Sequence, residues 1–237
     1  MNVSILHLYP KEMNLYGDHG NVLALKKRLE WRGYKVKVWE HEPGMELPRQ
    51  IDIIFGGGGQ DSGQGKIEKD LIHIAPKLKA LIEDDIPALV ICGMYQLFGK
   101  YFQTAEGQKI QGADILKLAT VAGNNRLIGN VVIDSPEFGE IVGYENHSGL
   151  TILGEGVQAL CVVRKGQGNN DSDKSEGCRY KNCIGTYLHG PILPKNPRIA
   201  DYLIDKALDK RSCKVKLEPL NDRLENRAHI VAASRPR

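Results

Sequence analysis

The sequence predicts an α/β protein, a mostly parallel sheet with helices on both faces, and three observations carry that expectation. Short apolar, β-branched runs at Val3–Leu8, Ile51–Phe55 and Ala88–Ile91 alternate with stretches of helical period. Glycine follows two of these runs at the same end, as Gly56 to Gly59 and as Gly93. The resulting β-α-β-α-β order calls for right-handed crossovers, which make the strands parallel and put a site at their C-terminal ends.

Length and composition bound the rest. A chain of 237 residues with 41% hydrophobic and 26% charged content is ordinary for a globular protein. One domain is expected over residues 1–210, with a tail over 211–237. No apolar run approaches the ~18 residues of a membrane span, and the first strand has no basic flank or cleavage site, so no membrane insertion is expected and the cytoplasm is the expected compartment. Cys92, Cys161, Cys178, Cys183 and Cys213 should then stay reduced. Cys178 and Cys183 lack the second Cys or His pair that zinc needs, so no metal is assigned. The net charge of +3 comes from interspersed residues without a basic block, which gives no support to a nucleic-acid partner.

In chain order, the first strand Val3–Leu8 leads into Tyr9–Asn21, whose Gly, Asn and Asp content marks an ordered turn. Asn21 is placed as the cap of a helix to about Arg32, with Val22, Leu25 and Leu29 on one face and Gly33 after it. Lys35–Trp39 alternates as a half-exposed strand does. After the third strand, Ile51–Phe55, four consecutive glycines read either as a loose turn or as backbone that a ligand must approach closely, and their place at a strand end favours the second. Ile67, Leu71, Ile74, Leu78 and Leu81 have helical spacing, but Pro76 predicts a kink or two shorter helices. Beyond the helix after Cys92, Lys109–Asp134 and Ile141–Leu153 read as short strands with Gly and Asn turns. The polar stretch Gly166–Gly177 reads as a surface loop. Cys183–Leu188 is the last strand, Arg198–Lys210 an amphipathic helix, and Leu220–Ala233 a further helix in the tail.

Cys92 is the first candidate for chemistry. It ends a buried strand, Gly93 permits a sharp turn, and the following helix points its N-terminus at the sulfur, which exposes a nucleophile and favours its thiolate. The competing reading is a small apolar cysteine that fills a strand end. A thiolate that attacks a carbonyl also needs a base that later acts as an acid. Among seven histidines, His189 alone ends an apolar strand before a Gly-Pro turn, mirroring Cys92. No Gly-x4-Gly-Lys-Ser/Thr loop occurs, so no nucleotide site is expected.

Cys92-Gly-Met-Tyr-Gln96 resembles the nucleophile elbow of class I, triad-type glutamine amidotransferases, and Tyr144-Glu-Asn-His147-Ser-Gly149-Leu-Thr151 resembles a stretch of their cobyric-acid-synthase-like branch. Within that branch, Met13–Asp18, Gly57–Asp61, Asn125–Gly129 and Gly185–Pro191 are similar to the glutaminase subunits that amidate the peptidoglycan precursor lipid II. The resemblance spans roughly residues 1–201 and implies a flavodoxin-like domain that hydrolyses L-glutamine through a thioester. It makes Cys92 the nucleophile and His189 its base, with oxyanion N–H groups from Gly58 and Gly93. Arg126 would clamp the α-carboxylate of glutamine, although the residue alone reads as a solvated turn arginine. Gln96 would line the pocket, or else only pack its helix, and His147 would be structural. The implied partner is a MurT-like Mur-ligase subunit that carries ATP and Mg and meets lipid II, with no cofactor in this chain. Two other readings remain at this point: a stand-alone cysteine hydrolase of γ-glutamyl compounds, and a catalytically silent binding module. Class I enzymes usually carry Glu two residues after the histidine, and Pro191 stands there instead. The orienting acid is therefore expected from the partner, or from Glu145.

Overall fold

The computed structural model describes residues 1–211 and 216–236, so Cys213 lies outside the described residues. In chain order the elements are β1 (Asn2–Leu8), α1 (His19–Trp31), β2 (Lys35–His41), β3 (Ile53–Gly56), α2 (Asp61–Glu83), β4 (Ala88–Ile91) and α3 (Gly93–Phe98). There follow β5 (Tyr101–Gln103), β6 (Lys109–Gln111), β7 (Leu118–Ser135), β8 (Gly139–Leu153), β9 (Cys161–Lys165), β10 (Ser175–Glu176), β11 (Cys178–Tyr180), β12 (Cys183–Thr186), α4 (Pro197–Lys210) and α5 (Arg223–Ser234).

The central sheet has the order β11-β12-β4-β3-β1-β2 and is parallel except for β11, which pairs antiparallel with β12. β3, β4 and β12 are buried at every position, as strands covered on both faces must be. α1 packs with α4 and α2 with α3, which gives the sheet a helical layer on each face. Parallel pairing aligns the C-terminal ends of β1, β3, β4 and β12 along one edge. Asp18, the glycine loop, Cys92 and His189 all follow those ends, so the topology alone gathers them.

Four elements differ from the sequence reading. α2 runs unbroken through Pro76, because its apolar stripe of Ile67, Leu71, Ile74, Leu78 and Ile82 is buried while Pro76 lies on the exposed face, where water replaces the lost amide bond. The predicted short strands merge into one long hairpin, β7 paired with β8, with a register shift between Ala122 and Leu127. This hairpin joins a second sheet with the order β10-β9-β7-β5-β6. The stretch Gly166–Gly177 is only partly a surface loop. Asn169 and Glu176 are fully buried, Asn169 holding Ser175 and Gly177, and Glu176 accepting from the Tyr187 amide and the Thr186 hydroxyl. Asn21 does not cap α1. The helix starts earlier, and the buried Asn21 side chain accepts from the Leu193 amide instead.

Candidate active site

Cys92 occupies a strained turn between β4 and α3, at φ 47 and ψ −105, a combination L residues avoid. The strain is held by backbone bonds on both sides: the Cys92 amide donates to Thr186 O at 2.8 Å, and its carbonyl accepts from the Gln96 amide at 2.9 Å. β4 and β12 thus aim the sulfur out of the sheet edge, the geometry of a nucleophile elbow.

His189 follows β12 and is pinned by mutual amide bonds with Tyr144 on β8. Its imidazole is fully buried. Nδ1 lies 3.1 Å from Asp18 Oδ2, and Asp18 is itself fully buried in the turn before α1. On its other side the His189 ring faces Cys92, its charge and hydrogen-bond partner. Burial lowers the His189 pKa, but the Cys92 thiolate and the Asp18 carboxylate outweigh burial and carry it above the ordinary histidine range. That is the arrangement of a cysteine–histidine pair with a carboxylate on the far imidazole nitrogen.

Asp18 sets a carboxylate on His189 from within this chain, where the sequence reading looked to a partner or to Glu145. Glu145 is engaged with the chain after β9: its buried carboxylate accepts from the amides of Gln167 and Gly168. The signal for Asp18 was present in the sequence, since it sits in the ordered turn after the first strand, on the same edge as Cys92.

The glycine loop is built for close packing. A Cβ at Gly57 would lie 2.3 Å from Met13 O, and one at Gly58 would lie 2.5 Å from His189 Cε1. Gly58 does not present its amide to a ligand in this structure, because that N–H donates to Asp18 Oδ2 at 2.8 Å. In this structure the amide therefore holds the carboxylate beside His189 rather than facing the cavity as an oxyanion donor. Gly93 lies next to Cys92, with its Cα face against Gln64 and the Gly59 amide.

A cavity of about 360 Å³ opens over Cys92. Arg126 lines it from the bulge of β7, together with Tyr16, Asp61, Gln96 and His147. Arg126 Nε donates to Asn146 Oδ1 at 2.6 Å, and Asn146 Nδ2 donates to the Tyr16 hydroxyl at 2.7 Å. Tyr16, itself at φ 54, meets the His189 ring in a T-shaped contact with centroids 4.9 Å apart. Sequence reasoning missed Tyr16 and Asn146 as site residues, although both fall inside motifs that carry the resemblance. Gln96 meets both of its readings: it reaches the cavity, yet its carbonyl accepts from Gln64 at 2.8 Å and its amide donates to the Tyr187 hydroxyl at 3.3 Å. His147 stacks on Tyr187 at 3.6 Å, with Nδ1 on Gly149 O. Burial, against the Gly149 bond and with His189 and Arg126 nearby, lowers its pKa to about 4, so at neutral pH it holds no charge. Among the described residues no cluster of His, Cys, Asp or Glu could hold a metal ion.

Comparison with known proteins agrees with this geometry. Residues 4–197 match the CobB/CobQ-like glutamine amidotransferase domain. The lipid II isoglutaminyl synthase (glutamine-hydrolyzing) subunit GatD of Staphylococcus aureus (strain N315) is 45% identical over 232 residues, covering 97% of this chain and 93% of that protein. The subunit of the same name from Streptococcus pneumoniae (strain ATCC BAA-255 / R6) is 40% identical and covers 88% of this chain and 82% of its own length. Among solved structures, a glutamine amidotransferase from Thermotoga maritima aligns with a TM-score of 0.56 at 15% identity, over 97% of this chain and 93% of that one. PurLQS from the same organism aligns with a TM-score of 0.58 at 14% identity, over 88% and 99%. These two likenesses bear on the fold.

Proposed function

The chain belongs to the CobB/CobQ-like glutamine amidotransferase family, and from that membership and its site we propose that it hydrolyses L-glutamine to glutamate and ammonia through a thioester on Cys92. The observation that carries the reading is a strained cysteine facing a buried histidine whose far nitrogen meets a buried carboxylate, beneath a cavity lined by an arginine.

The Cys92 thiolate attacks the side-chain amide carbon, and the Gly93 amide is the nearest backbone donor for the oxyanion. The Gly58 amide joins it only if its peptide turns away from Asp18. His189, protonated in the resting pair, gives its proton to the departing ammonia. The thioester forms as the carbon–nitrogen bond breaks. His189 then takes a proton from water, which adds to the thioester and releases glutamate and the thiolate. Asp18 keeps the imidazole in the tautomer that does this and supports its charge. Arg126 holds the α-carboxylate of glutamine with the charged fork that suits it.

The ammonia is intended for a partner. The names of the similar subunits support use of the ammonia within a lipid II isoglutaminyl synthase complex; in this reading the partner is a MurT-like Mur-ligase that uses ATP and Mg to amidate the D-glutamate of lipid II. Under this reading the chain works in the cytoplasm and meets the lipid only through that partner. No helix among the described residues is long and apolar enough to cross a membrane.

The test is glutamate release by the isolated chain and by its Cys92→Ser variant. The expected result is release by the former and none by the latter at unchanged melting temperature. Equal release by both removes Cys92 from the reaction. Copurification of an ATP-dependent ligase with the tagged chain tests the second half, and its absence would favour a stand-alone hydrolase.

A further inference from the structure

A free amino acid carries two opposite charges on one carbon, and a site that binds only the carboxylate leaves an ammonium to be desolvated without compensation. Arg126 accounts for the anion. Its Nε is held by Asn146, and its terminal nitrogens have no protein partner among the described residues. A cation on the substrate calls for an anion in the same cavity.

Asp61 supplies that charge. It opens α2 directly after the glycine loop and lines the cavity that contains Cys92 and Arg126. The same cavity holds the Cys92 nucleophile and the free end of Arg126, so a carboxylate there faces both the reacting atom and the anion site of the substrate. Asp61 feels Arg126 as an opposite charge and Glu106, in the turn between β5 and β6, as a like one. Burial and the Glu106 charge raise its pKa and Arg126 lowers it, so the carboxylate sits short of positive charge. Glu106 does not line the cavity, whereas Asp61 and its neighbour Ser62 do.

We propose that Asp61 receives the α-ammonium group of the substrate while Arg126 receives its α-carboxylate, so that the pocket selects a free L-amino acid over peptides and acylated or deaminated amides. The proposal rests on the glutaminase reading. It gives the two residues separate tasks, because the ammonium is read by Asp61 and the carboxylate by Arg126.

The experiment follows covalent capture of Cys92 by 6-diazo-5-oxo-L-norleucine and by its deaminated counterpart, 6-diazo-5-oxohexanoate. In each case the diazo carbon is protonated, and the Cys92 sulfur displaces dinitrogen to leave a thioether. Second-order capture rates are measured by mass spectrometry for the wild-type chain, Asp61→Asn and Arg126→Ala. The wild-type chain should prefer the amino-bearing probe. Asp61→Asn should slow capture of that probe by about ten- to a hundredfold, the range of a lost charged hydrogen bond, and leave the deaminated probe unchanged. Arg126→Ala should slow both. Equal slowing of both probes by Asp61→Asn, or no slowing of either, overturns the role of Asp61. Wild-type capture without preference also overturns it while leaving the glutaminase reading intact. Absence of capture by either probe in the wild-type chain overturns both.

Discussion

The orienting acid of the site lies 171 residues before the histidine it serves. The local motif has Pro191 two residues beyond His189, which leaves the acid to a partner or to Glu145. Cys92, His189 and Arg126 were legible because each sits in a short motif at a strand end or hairpin bulge. Asp18 was legible only as a turn residue, since its role depends on β1 and β12 delivering their ends to one edge. Gly58 was read as a donor to the substrate, and it donates to that acid instead. The Asp18→Asn variant tests the role of Asp18. Loss of the carboxylate frees the imidazole to adopt the wrong tautomer, so kcat should fall by up to ~10⁴ with KM little changed. The pH profile should move as well. The raised His189 pKa keeps the imidazolium, and the ion pair it forms, intact below that value and loses them as pH rises through it, so the alkaline limb of activity should lie above the ordinary histidine range. Removing the Asp18 charge lowers the His189 pKa, and the alkaline limb should shift to lower pH. An unmoved limb would show that Asp18 does not act on His189. For Arg126→Ala, KM for glutamine should rise while kcat changes less, by a loss of ~1.5–3 kcal/mol in kcat/KM. Unchanged steady-state constants would return Arg126 to the solvent.

At the scale of elements, the parallel sheet was legible because fully buried strands read as unbroken apolar runs, and the hairpin was not. Gly123, Asn124, Asn125, Gly129 and Asn130 look like turn residues in a sequence, yet they lie within β7, where the register shift absorbs the irregularity and exposes Arg126. Proline in α2 misled for the same kind of reason: a local penalty was outweighed by the burial of a long stripe. The two strands β1 and β8 carry a pH dependence of stability. His7 on β1 is buried against Phe55 without a hydrogen-bond partner, and burial, with His19 nearby, lowers its pKa to about 4. His147 on β8 is lowered to about 4 chiefly by burial. Both are depressed below the unfolded value, so the neutral forms stabilise the fold above an unfolded pKa of ~6.5, and that stability is lost as pH falls toward the folded value. Each histidine should contribute a loss of at most ~3 kcal/mol between those limits. Urea unfolding of the wild-type chain and of His7→Phe at several pH values measures this. A wild-type stability that is flat between the two pKa values would refute it.

Over the whole molecule, one guanidinium ties three helical segments together. Arg28 on α1 is almost fully buried, and it donates to both oxygens of Asp201 on α4, at 2.8 and 2.7 Å, and to both oxygens of Asp222 at the start of α5, at 2.6 and 3.1 Å. Arg32, one turn on, adds bonds to Asp201 and to the Glu218 carbonyl. The tail was expected as a helix of uncertain register. The structure sets it as α5, packed on the β7–β8 hairpin and lining a second surface cleft with Tyr144 and Gly190, the residues that pin and follow His189. Removing Arg28 leaves Asp222 without its cation and Asp201 with Arg32 alone, which is costlier than never having had the pair. Arg28→Ala should therefore lower unfolding free energy by ~3–5 kcal/mol. Asp222→Asn leaves Arg28 paired with Asp201, and its cost should be the smaller ~1–3 kcal/mol of one weakened charged contact. Because α5 lines a cleft that shares no residue with the Cys92 cavity, Asp222→Asn should make the tail a protease target while Cys92 labelling continues. Equal urea midpoints for wild-type and Arg28→Ala would show that the cluster is a surface ornament rather than the clasp that holds the tail against the sheet.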